Sequence, residues 1–246
     1  MIDLHCHILP NIDDGPSDIE GSLAMCRMAS ADGIKVIVAT PHFKPGLFTL
    51  PTFDEVSEAT ILLNERLAEE EVDLKILIAA EVRLTTDTLD YLVKERFLCF
   101  NGNGRYFLME FPNRLETLPE GWESLIGSLL RAGYRPLIAH PERNFYFIKN
   151  PYKLVRAVRS GAMLQLTAQS VTGKAGEEAQ DFSNFLLAEG LVHSISTDSH
   201  STTSRPTVLT DAVISASEII GEEKAIDLVT TIPQAIIDGR DIAFPE

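Results

Sequence analysis

The chain has 246 residues, of which 45% are hydrophobic, and its formal net charge is −15 at pH 7. A nucleic-acid partner needs a basic surface, and 21 Lys and Arg against 36 Asp and Glu argue against one. No stretch approaches the roughly 20 apolar residues that cross a bilayer, so we expect no membrane insertion. The start of the chain lacks a signal-peptide pattern and the three cysteines form no close pairs, so we expect a cytoplasmic protein.

Seven short apolar segments predict β-strands, and helix-like stretches separate most of them. The strands are centred on Leu4, Val38, Ile78, Leu108, Ile138, Leu164 and Ile195. Helices are predicted over Ser17–Ala31, Thr52–Glu71, Glu120–Ala132, Pro151–Arg159 and Ala175–Glu189, with terminal helices over Thr207–Ile220 and Glu222–Val229. Strands that alternate with helices pair in parallel through right-handed crossovers. We therefore expect a single α/β domain over residues 1–246, a (β/α) barrel of seven strands, with an open doubly wound sheet as the alternative.

Local signals predict where these helices begin and end. Ser17 with Glu20 three residues later matches a capping box, which makes Ser17 the expected N-terminal cap. Gly133, Gly161 and Gly190 stand where C-terminal caps are expected. The terminal helices carry no recognisable motif and are the candidate place for a homo-oligomer contact.

Histidine and carboxylate residues follow the predicted strands. They are His5, His7, His42, Glu81, Glu110, His140, Asp198 and His200, with Asp14 in the loop after the first strand. A structural role would explain any one of them, but the carboxyl ends of parallel strands meet at one rim, where TIM-type barrels carry their active sites. Their coincidence at one rim predicts a metal site. His193 begins its strand instead, and we interpret it as structural.

The spacing and the donor types of these residues limit which metals the site could hold. His5 and His7 stand at positions i and i+2, which places both on one strand face and Cys6 on the other. Asp198 and His200 repeat this spacing. Histidine and carboxylate donors without a thiolate suit Zn, Mn or Fe, and affinity order alone would favour Zn over Mn.

The charge of the predicted ligands bears on the number of ions. Four of the ligands are acids: Asp14, Glu81, Glu110 and Asp198. Three divalent ions would leave a net positive site that suits an anionic substrate, whereas one ion would leave a negative site that repels phosphate.

Cys99 and Arg105 have the Cys-x5-Arg spacing of the cysteine-dependent tyrosine phosphatases, which use an unrelated mechanism. The two Asn-Gly pairs between them are hairpin-turn dipeptides, and the residues after Arg105 have the pattern of a strand. A thiolate without a helix N-terminus lacks the environment that usually lowers its pKa. We therefore expect the chemistry of this protein to depend on the predicted metal site and not on a Cys99 thiolate.

Several motifs together resemble one known family. They are Leu4-His5-Cys6-His7 with Ile12-Asp13-Asp14-Gly15, Ala39-Thr40-Pro41-His42, Ala80-Glu81-Val82, Glu110-Phe111-Pro112, Ala139-His140-Pro141-Glu142-Arg143, Ser170-Val171-Thr172-Gly173, and Thr197-Asp198-Ser199-His200 with Arg205-Pro206. The combination resembles the PHP (polymerase and histidinol phosphatase) superfamily, and more closely its bacterial protein-tyrosine phosphatases of capsule and exopolysaccharide loci. The resemblance spans Ile2 to Pro206. Asn11 stands where that family usually has Gly, and Thr197 and Ser199 where Ser and Ala are commoner; neither departure removes a ligand.

The resemblance implies a distorted seven-stranded barrel with three divalent ions at its C-terminal rim, Mn being expected and Fe or Zn the alternatives. By position, the first ion would take His5, His7, Glu81 and Asp198, the second Glu81, Glu110 and His140, and the third Asp14, His42 and His200. Arg143 and Arg205 would bind phosphate and, with Asp198, would carry catalysis. The implied substrate is a phosphotyrosine protein, the tail of a bacterial tyrosine autokinase that controls polysaccharide synthesis.

Three alternatives stay open at this point. The same metals could serve a small phosphomonoester such as histidinol phosphate, because the rim ligands do not select the leaving group. A non-catalytic metal-binding barrel that acts as an interaction module is the second. The third concerns Phe43, Phe48 and Tyr146. These aromatic residues could line a pocket for the substrate ring, or they could simply pack in the core.

Overall fold

The computed structural model describes residues 1–47, 49–111, 118 and 120–242. Phe48, one of the ring-pocket candidates, and Pro112, part of one motif, lie outside the described residues. No helix within the described ranges is long and apolar enough to cross a membrane.

All strand pairs are parallel, which confirms the predicted α/β class. The described strands are β1 (Ile2–Cys6), β2 (Val36–Ala39), β3 (His42–Phe43), β4 (Lys75–Ile78), β5 (Glu81–Arg83), β6 (Tyr106–Glu110), β7 (Arg135–Ala139), β8 (Met163–Thr167) and β9 (Ser194–Ser196). One sheet has the order β1-β2-β4, and the other has the order β3-β5-β6-β7-β8-β9.

Two of the seven predicted strands are interrupted, and this splits the sheet in two. β2 and β3 are separated by Thr40-Pro41, and β4 and β5 by Ala79-Ala80. The chain itself continues across both breaks, and β3 pairs with β5 just beyond the place where β2 pairs with β4. Pro41 has no N–H to donate to a ladder, which is one physical reason for the first break.

The ring of strands is not closed by a continuous ladder. Between β1 and the segment after β9 the backbone makes one bridge, Cys6 with Ser199, with hydrogen bonds from Asp198 N–H to His5 O (2.8 Å) and from His7 N–H to Ser199 O (2.9 Å). β9 itself contacts β1 through the Ser196 side chain, whose Oγ accepts from Leu4 N–H at 3.3 Å. The predicted closed seven-stranded barrel is therefore not confirmed among the described residues, which form sheets of three and six strands.

An irregularity in β1 changes the face that its side chains present. Leu4 packs in a small cluster made mostly of strand residues, whereas Cys6 packs in the large cluster between strands and helices. Regular alternation would place both on one face. The register against β2 shifts between Asp3 and Cys6, and such irregularities redirect side chains.

Helices cover the strands; seven of those described lie near predicted helices, and four were not predicted. Those described are α1 (Ile19–Ala31), α2 (Phe53–Glu69), α3 (Thr88–Lys94), α4 (Trp122–Arg131), α5 (Phe145–Lys149), α6 (Pro151–Arg159), α7 (Ala168–Val171), α8 (Glu177–Ala188), α9 (Thr210–Ile220), α10 (Glu222–Asp227) and α11 (Thr231–Ile237). Gly133, Gly161 and Gly190 have positive φ after α4, α6 and α8, as the C-terminal caps predict.

The predicted cap of α1 is wrong. Asp18 is the N-cap, and its carboxylate accepts a hydrogen bond from Gly21 N–H at 2.8 Å. Asp and Ser are nearly equal as caps, so the sequence pattern does not distinguish Ser17 from its neighbour. Glu20 does not complete a capping box with Ser17, because its carboxylate lies 3.1 Å from Arg66 Nη2.

Helix α11 was not predicted, and it blocks the end of the strands opposite the predicted site. Its Ile236 and Ile237 belong to the strand cluster around Leu4. Asn103, just before β6, donates from its amide to Ile236 O at 2.7 Å. The carboxyl ends of the strands are thereby left as the open end.

Candidate metal centre

The predicted ligands converge at the carboxyl ends of the strands. Ligand atoms of eight residues form three overlapping groups, each with its atoms within 4.8 Å of one another: His7, Asp14, His42 and His200; His5, Glu81 and His140; and His5, His7 and Asp198. The ninth residue, Glu110, belongs to none of these groups but lines the same cavity. That cavity measures about 180 Å³ and is lined by Asp14, His42, Lys44, Glu81, Glu110, His140, Arg143, Asp198 and Arg205.

His5 and His7 direct their Nε2 atoms at each other, 3.2 Å apart. His5 Nδ1 lies 3.0 Å from Gln165 Oε1, and the amide of Gln165 donates elsewhere, so its oxygen faces the ring. His7 Nδ1 lies 2.6 Å from Asp13 Oδ2. In neutral rings these acceptors place the proton on Nδ1, so two Nε2 lone pairs converge on Asp198 Oδ1, which lies 3.2 and 3.5 Å away. Converging lone pairs and a carboxylate need a cation between them, so this donor set fits a metal ion.

The pKa values of the two rings respond to the same geometry. Burial lowers the pKa of His5 to about 3, although Asp198 and Glu81 favour its charged form. Burial also acts to lower the pKa of His7, but the Asp13 carboxylate outweighs it and raises the value to about 10. Without a metal, the acids therefore favour a proton on His7, and they raise the pKa values of His42 and His140 as well. A metal ion would have to displace that proton, which couples its binding to pH.

Glu81 faces two groups of histidines. Its Oε1 lies 2.9 Å from His140 Nε2, and its Oε2 lies 2.5 Å from His42 Nδ1. Burial alone would raise the pKa of Glu81, but the neighbouring histidines, His5 first, hold it well below its usual range. Oε1 also lies 3.6 Å from His5 Nε2, so this carboxylate reaches both His5 and His140, as a ligand shared by two cations would.

Asp14 holds the outer group together. Its Oδ1 lies 3.2 Å from His42 Nε2 and 3.1 Å from His200 Nε2. These contacts lower the pKa of Asp14 strongly. The Asp14 side chain is 62% exposed, so this group lies at the open side of the cavity.

Lys44 is a site residue that the sequence analysis missed. Its Nζ lies 3.0 Å from Glu110 Oε2 and 3.4 Å from His42 Nε2. Burial and the nearby Glu81 carboxylate raise the pKa of Glu110. Lys44 stands two residues after His42, just beyond β3, and this spacing could have identified it.

Arg143 and Arg205 both contact Asp198, on the side away from the histidines. Arg143 Nη1 donates to Asp198 Oδ2 at 2.5 Å, and Arg205 Nη2 contacts the same oxygen. Asp198 and His140 have left-handed backbone, with φ of 51° and 36°. Such conformations are uncommon in residues other than Gly and cluster at functional sites.

Two supporting acids were also missed. Asp3 is buried, accepts from Thr197 Oγ1 at 2.5 Å, and has its pKa raised by burial to about 6. This contact gives Thr197 a role at the position where the family more commonly has Ser. Glu142 Oε1 accepts from Thr167 N–H at 3.0 Å and from Thr167 Oγ1 at 2.9 Å, which fixes the segment that carries Arg143.

Cys99 lies apart from this cavity. It forms an antiparallel bridge with Phe107, so part of the predicted hairpin exists, although a 3-10 turn over Phe100–Gly102 lies between the two residues. Burial raises the pKa of the Cys99 thiol to about 12, and Arg105 pairs with Asp241 near the amino end of β6. Cys99 therefore lacks the environment of a catalytic thiolate, and Arg105 is not placed to bind a substrate at it.

The remaining candidates pack structurally. His193 is buried, and its Nδ1 accepts from Leu164 N–H at 3.3 Å. Phe43 packs edge-on against Tyr91, and Tyr146 packs against Phe147. Neither Phe43 nor Tyr146 lines the cavity described above.

The sequence profile of a family described as capsular polysaccharide synthesis, CpsB/CapC, matches residues 1–238. The chain belongs to the CpsB/CapC family. Among relatives in this family, the tyrosine-protein phosphatase YwqE of Bacillus subtilis is 38% identical over 205 residues, which cover 83% of this chain and 79% of YwqE. The tyrosine-protein phosphatase CpsB of Streptococcus pneumoniae is 29% identical over 242 residues, 96% of this chain and 98% of CpsB.

Two solved structures resemble this chain to different degrees. A structure from work on YwqE and CpsB, described there as metal-dependent tyrosine phosphatases, has a TM-score of 0.92 at 34% identity and covers 100% of this chain and 97% of that one. A histidinol phosphate phosphatase from Lactococcus lactis has a TM-score of 0.57 at 15% identity, over 92% of this chain and 94% of that one. The second likeness concerns the fold alone.

Proposed function

We propose that this protein is a metal-dependent tyrosine phosphatase that hydrolyses phosphotyrosine in proteins. The observation that carries the proposal is the cage of histidines and acids with two arginines on its open side, joined through Asp198. Membership of the CpsB/CapC family and the names of the relatives support the same activity.

The proposed ligand assignment has three ions. His5, His7, Glu81 and Asp198 would hold the first; Glu81, Glu110 and His140 the second; and Asp14, His42 and His200 the third. Mn is the proposed metal, with Fe or Zn as alternatives, since histidine and carboxylate donors suit all three. Bound divalent ions would supply Lewis acidity and lower the pKa of water near phosphorus.

The side chains of the protein would bind and orient the phosphate. Arg143 and Arg205 offer planar forks of N–H donors, which match non-bridging phosphate oxygens better than an ammonium does. Asp198 holds both guanidinium groups in place before the substrate arrives. The leaving phenolate has an intrinsic pKa near 10, so it needs little help from a general acid. We propose direct attack by water, with no phosphoenzyme.

The finer assignments belong to the same proposal. The described strands and the rest of the chain are proposed to form one domain, a distorted barrel of seven chain segments whose carboxyl rim carries the site. The proposed substrate is the phosphorylated tail of a bacterial tyrosine kinase that controls capsule or exopolysaccharide synthesis. A cytoplasmic location and a homo-oligomer contact stay predictions.

A hydrolysis assay with a phosphotyrosyl peptide, run with and without chelator beside metal analysis of the purified protein, tests the proposal. We expect bound divalent metal, hydrolysis, and loss of hydrolysis on chelation. A Cys99→Ala variant should keep full activity, because the thiol is protonated and remote from the cavity. Equal or faster turnover of histidinol phosphate would favour the small-substrate alternative, and a trapped phosphocysteine would refute the metal route.

A further inference from the structure

A groove leads away from the metal cavity. It has a volume of about 630 Å³ and shares Arg143, Asp198 and Arg205 with the cavity, so a group bound at the arginines lies at the junction of the two. Beyond the arginines, Phe145 and Ile148 of α5 line one side, and the first turn of α8 lines the other. The groove is therefore continuous with the proposed phosphate site.

The groove continues along α8. A second hollow of about 450 Å³ shares Ile148, Glu177 and Glu178 with the first and extends to Phe182 and Phe185. From Glu178 to Phe185 the helix advances roughly 10 Å, which matches about three residues of an extended peptide. The track is longer than a phosphorylated amino acid requires.

The chemistry of the walls changes along this track. The end at the metal cavity carries two guanidinium groups, whereas α8 presents the exposed acids Glu177, Glu178 and Asp181. Phe182 and Phe185 stack with ring centroids 5.9 Å apart, and Phe185 is 39% exposed. An anionic group would be favoured at one end of the track, and apolar or basic groups at the other.

We propose that the polypeptide flanking the phosphotyrosine lies in this groove and that α8 selects apolar or basic flanking residues. The inference rests on the proposed tyrosine phosphatase function and assigns it a specificity surface. The charge pattern supports one occupant: phosphate on the arginines, with the neighbouring part of the same chain against the acids and the stacked rings. Free phosphotyrosine would reach the arginines but not Phe185.

The test compares free phosphotyrosine with three phosphotyrosyl peptides whose flanking residues are Ala, Lys or Glu. For the unaltered protein, the KM of the Lys-flanked peptide should be lower than that of the Glu-flanked peptide. A Phe185→Ala variant should raise the KM of every peptide by about threefold to tenfold, as expected for a lost aromatic contact, and leave free phosphotyrosine unchanged. A Glu177→Lys, Glu178→Lys double variant should reverse the preference between the Lys and Glu peptides.

Matched controls lie on α2, remote from the groove. Phe53 is 50% exposed and Glu58 and Glu65 are exposed acids, so Phe53→Ala and a Glu58→Lys, Glu65→Lys double variant repeat the same chemical changes on another surface. Unchanged peptide KM values in the α8 variants, or equal changes in the controls, would overturn the groove assignment while free phosphotyrosine is still hydrolysed. Failure of the unaltered, metal-loaded protein to hydrolyse any phosphotyrosyl compound would overturn the proposed function, and the groove assignment with it.

Discussion

Asp198 joins the histidine cage to the two arginines through its two oxygens. Oδ1 faces His5 and His7, and Oδ2 faces Arg143 and Arg205. Its left-handed backbone is one that Asn adopts about as well as Asp, so Asp198→Asn should keep the local fold. Each oxygen therefore has a separate task.

We predict that Asp198→Asn loses both metal and activity. The amide carries no charge, and if its nitrogen faces either group it offers a donor where an acceptor is needed. Because a ligand is removed, the activity loss should exceed the roughly 10-fold to 100-fold that follows loss of an outer hydrogen bond. Metal analysis and kcat/KM measure it, with circular dichroism to verify folding. Full metal content with normal turnover would remove Asp198 from the site.

For the two arginines we expect the metal content to stay unchanged, in contrast to Asp198→Asn. They contact Oδ2 and not the oxygen that faces the histidines, so Arg143→Lys and Arg205→Lys should leave the metal content unchanged. Each replaces a planar fork by a single ammonium, which weakens bidentate contact with phosphate. We predict a KM for phosphotyrosine several-fold higher in either variant. A flat KM would assign the arginine to an ion pair with Asp198 alone.

Single positions also explain the departures from the family pattern. Asn11 has a φ of 56°, a left-handed conformation that Asn tolerates better than other residues with side chains. The structure thus accounts for Asn at a position where Gly is usual. His140 and Asp198 share this backbone region, and no periodicity of the sequence could have predicted that.

Among the elements, the i and i+2 spacing of His5 and His7 at the end of β1 predicted that the two rings share one side, and their Nε2 atoms lie 3.2 Å apart. The supports of these rings come from elsewhere in the sequence and could not be predicted in the same way. Gln165 reaches His5 from β8, and Asp13 reaches His7 from the loop after β1. The breaks that separate β2 from β3 and β4 from β5 were missed, since a strand signal only a few residues long does not reveal them.

The loop after β1 supplies a prediction for metal affinity. Asp13 accepts from His7 and also from His42 N–H at 3.1 Å. Asp13→Asn keeps an acceptor of the same size but removes the charge that makes the His7 ring a stronger ligand. We expect metal affinity to fall by about 10-fold to 100-fold, with activity recovered at high metal. Titration of the apoprotein with Mn measures this, and unchanged affinity would contradict it.

His193 links β8 to the segment before β9 and should make folding stability depend on pH. Burial lowers its pKa to about 4 in the folded protein, against 6.5 for an exposed ring. Between these values the unfolded chain binds more protons, so stability falls as the pH falls, by at most about 3 kcal/mol. Below pH 4 the contribution stays constant.

Denaturant unfolding with chelator present, at pH values from 7 to 4, measures this effect as the difference between the unaltered protein and His193→Asn. Asn keeps an acceptor for Leu164 N–H but does not titrate. The advantage of the unaltered protein should shrink toward pH 4. Parallel stability curves would show that His193 does not titrate in this window.

At the scale of the whole molecule, the sequence predicted the parallel class and the rim at which the predicted ligands come together, because both follow from alternating strands and helices. Whether the strands close into a ring was not predictable, since closure depends on contacts between the first and last strands. Among the described residues, backbone hydrogen bonds and one bridge join the end of β1 to the segment after β9, without a continuous ladder. The blocking helix α11 was missed because seven residues without a motif give a weak signal.

The contact between β1 and the segment after β9 connects metal binding to the stability of the whole fold. Asp198 N–H donates to His5 O, and the side chains of the same two residues face each other across the cage, Asp198 Oδ1 lying 3.2 Å from His5 Nε2. An ion held between them would therefore join the first and last strands. Binding to the folded state alone stabilises it by about 4 kcal/mol when free metal is a thousandfold above Kd. For a chain of this size each kcal/mol raises Tm by roughly 2–4 °C.

We therefore predict that chelation lowers the Tm of the holoprotein by about 10 °C and that adding Mn restores it. The apoprotein should still fold, because the proton on His7 compensates part of the acidic charge. Calorimetry of the holo, chelated and reloaded protein measures the shift, and Asp198→Asn is the control, since it should respond much less to chelator. An identical Tm before and after verified metal removal would show that the cage does not tie these strands together.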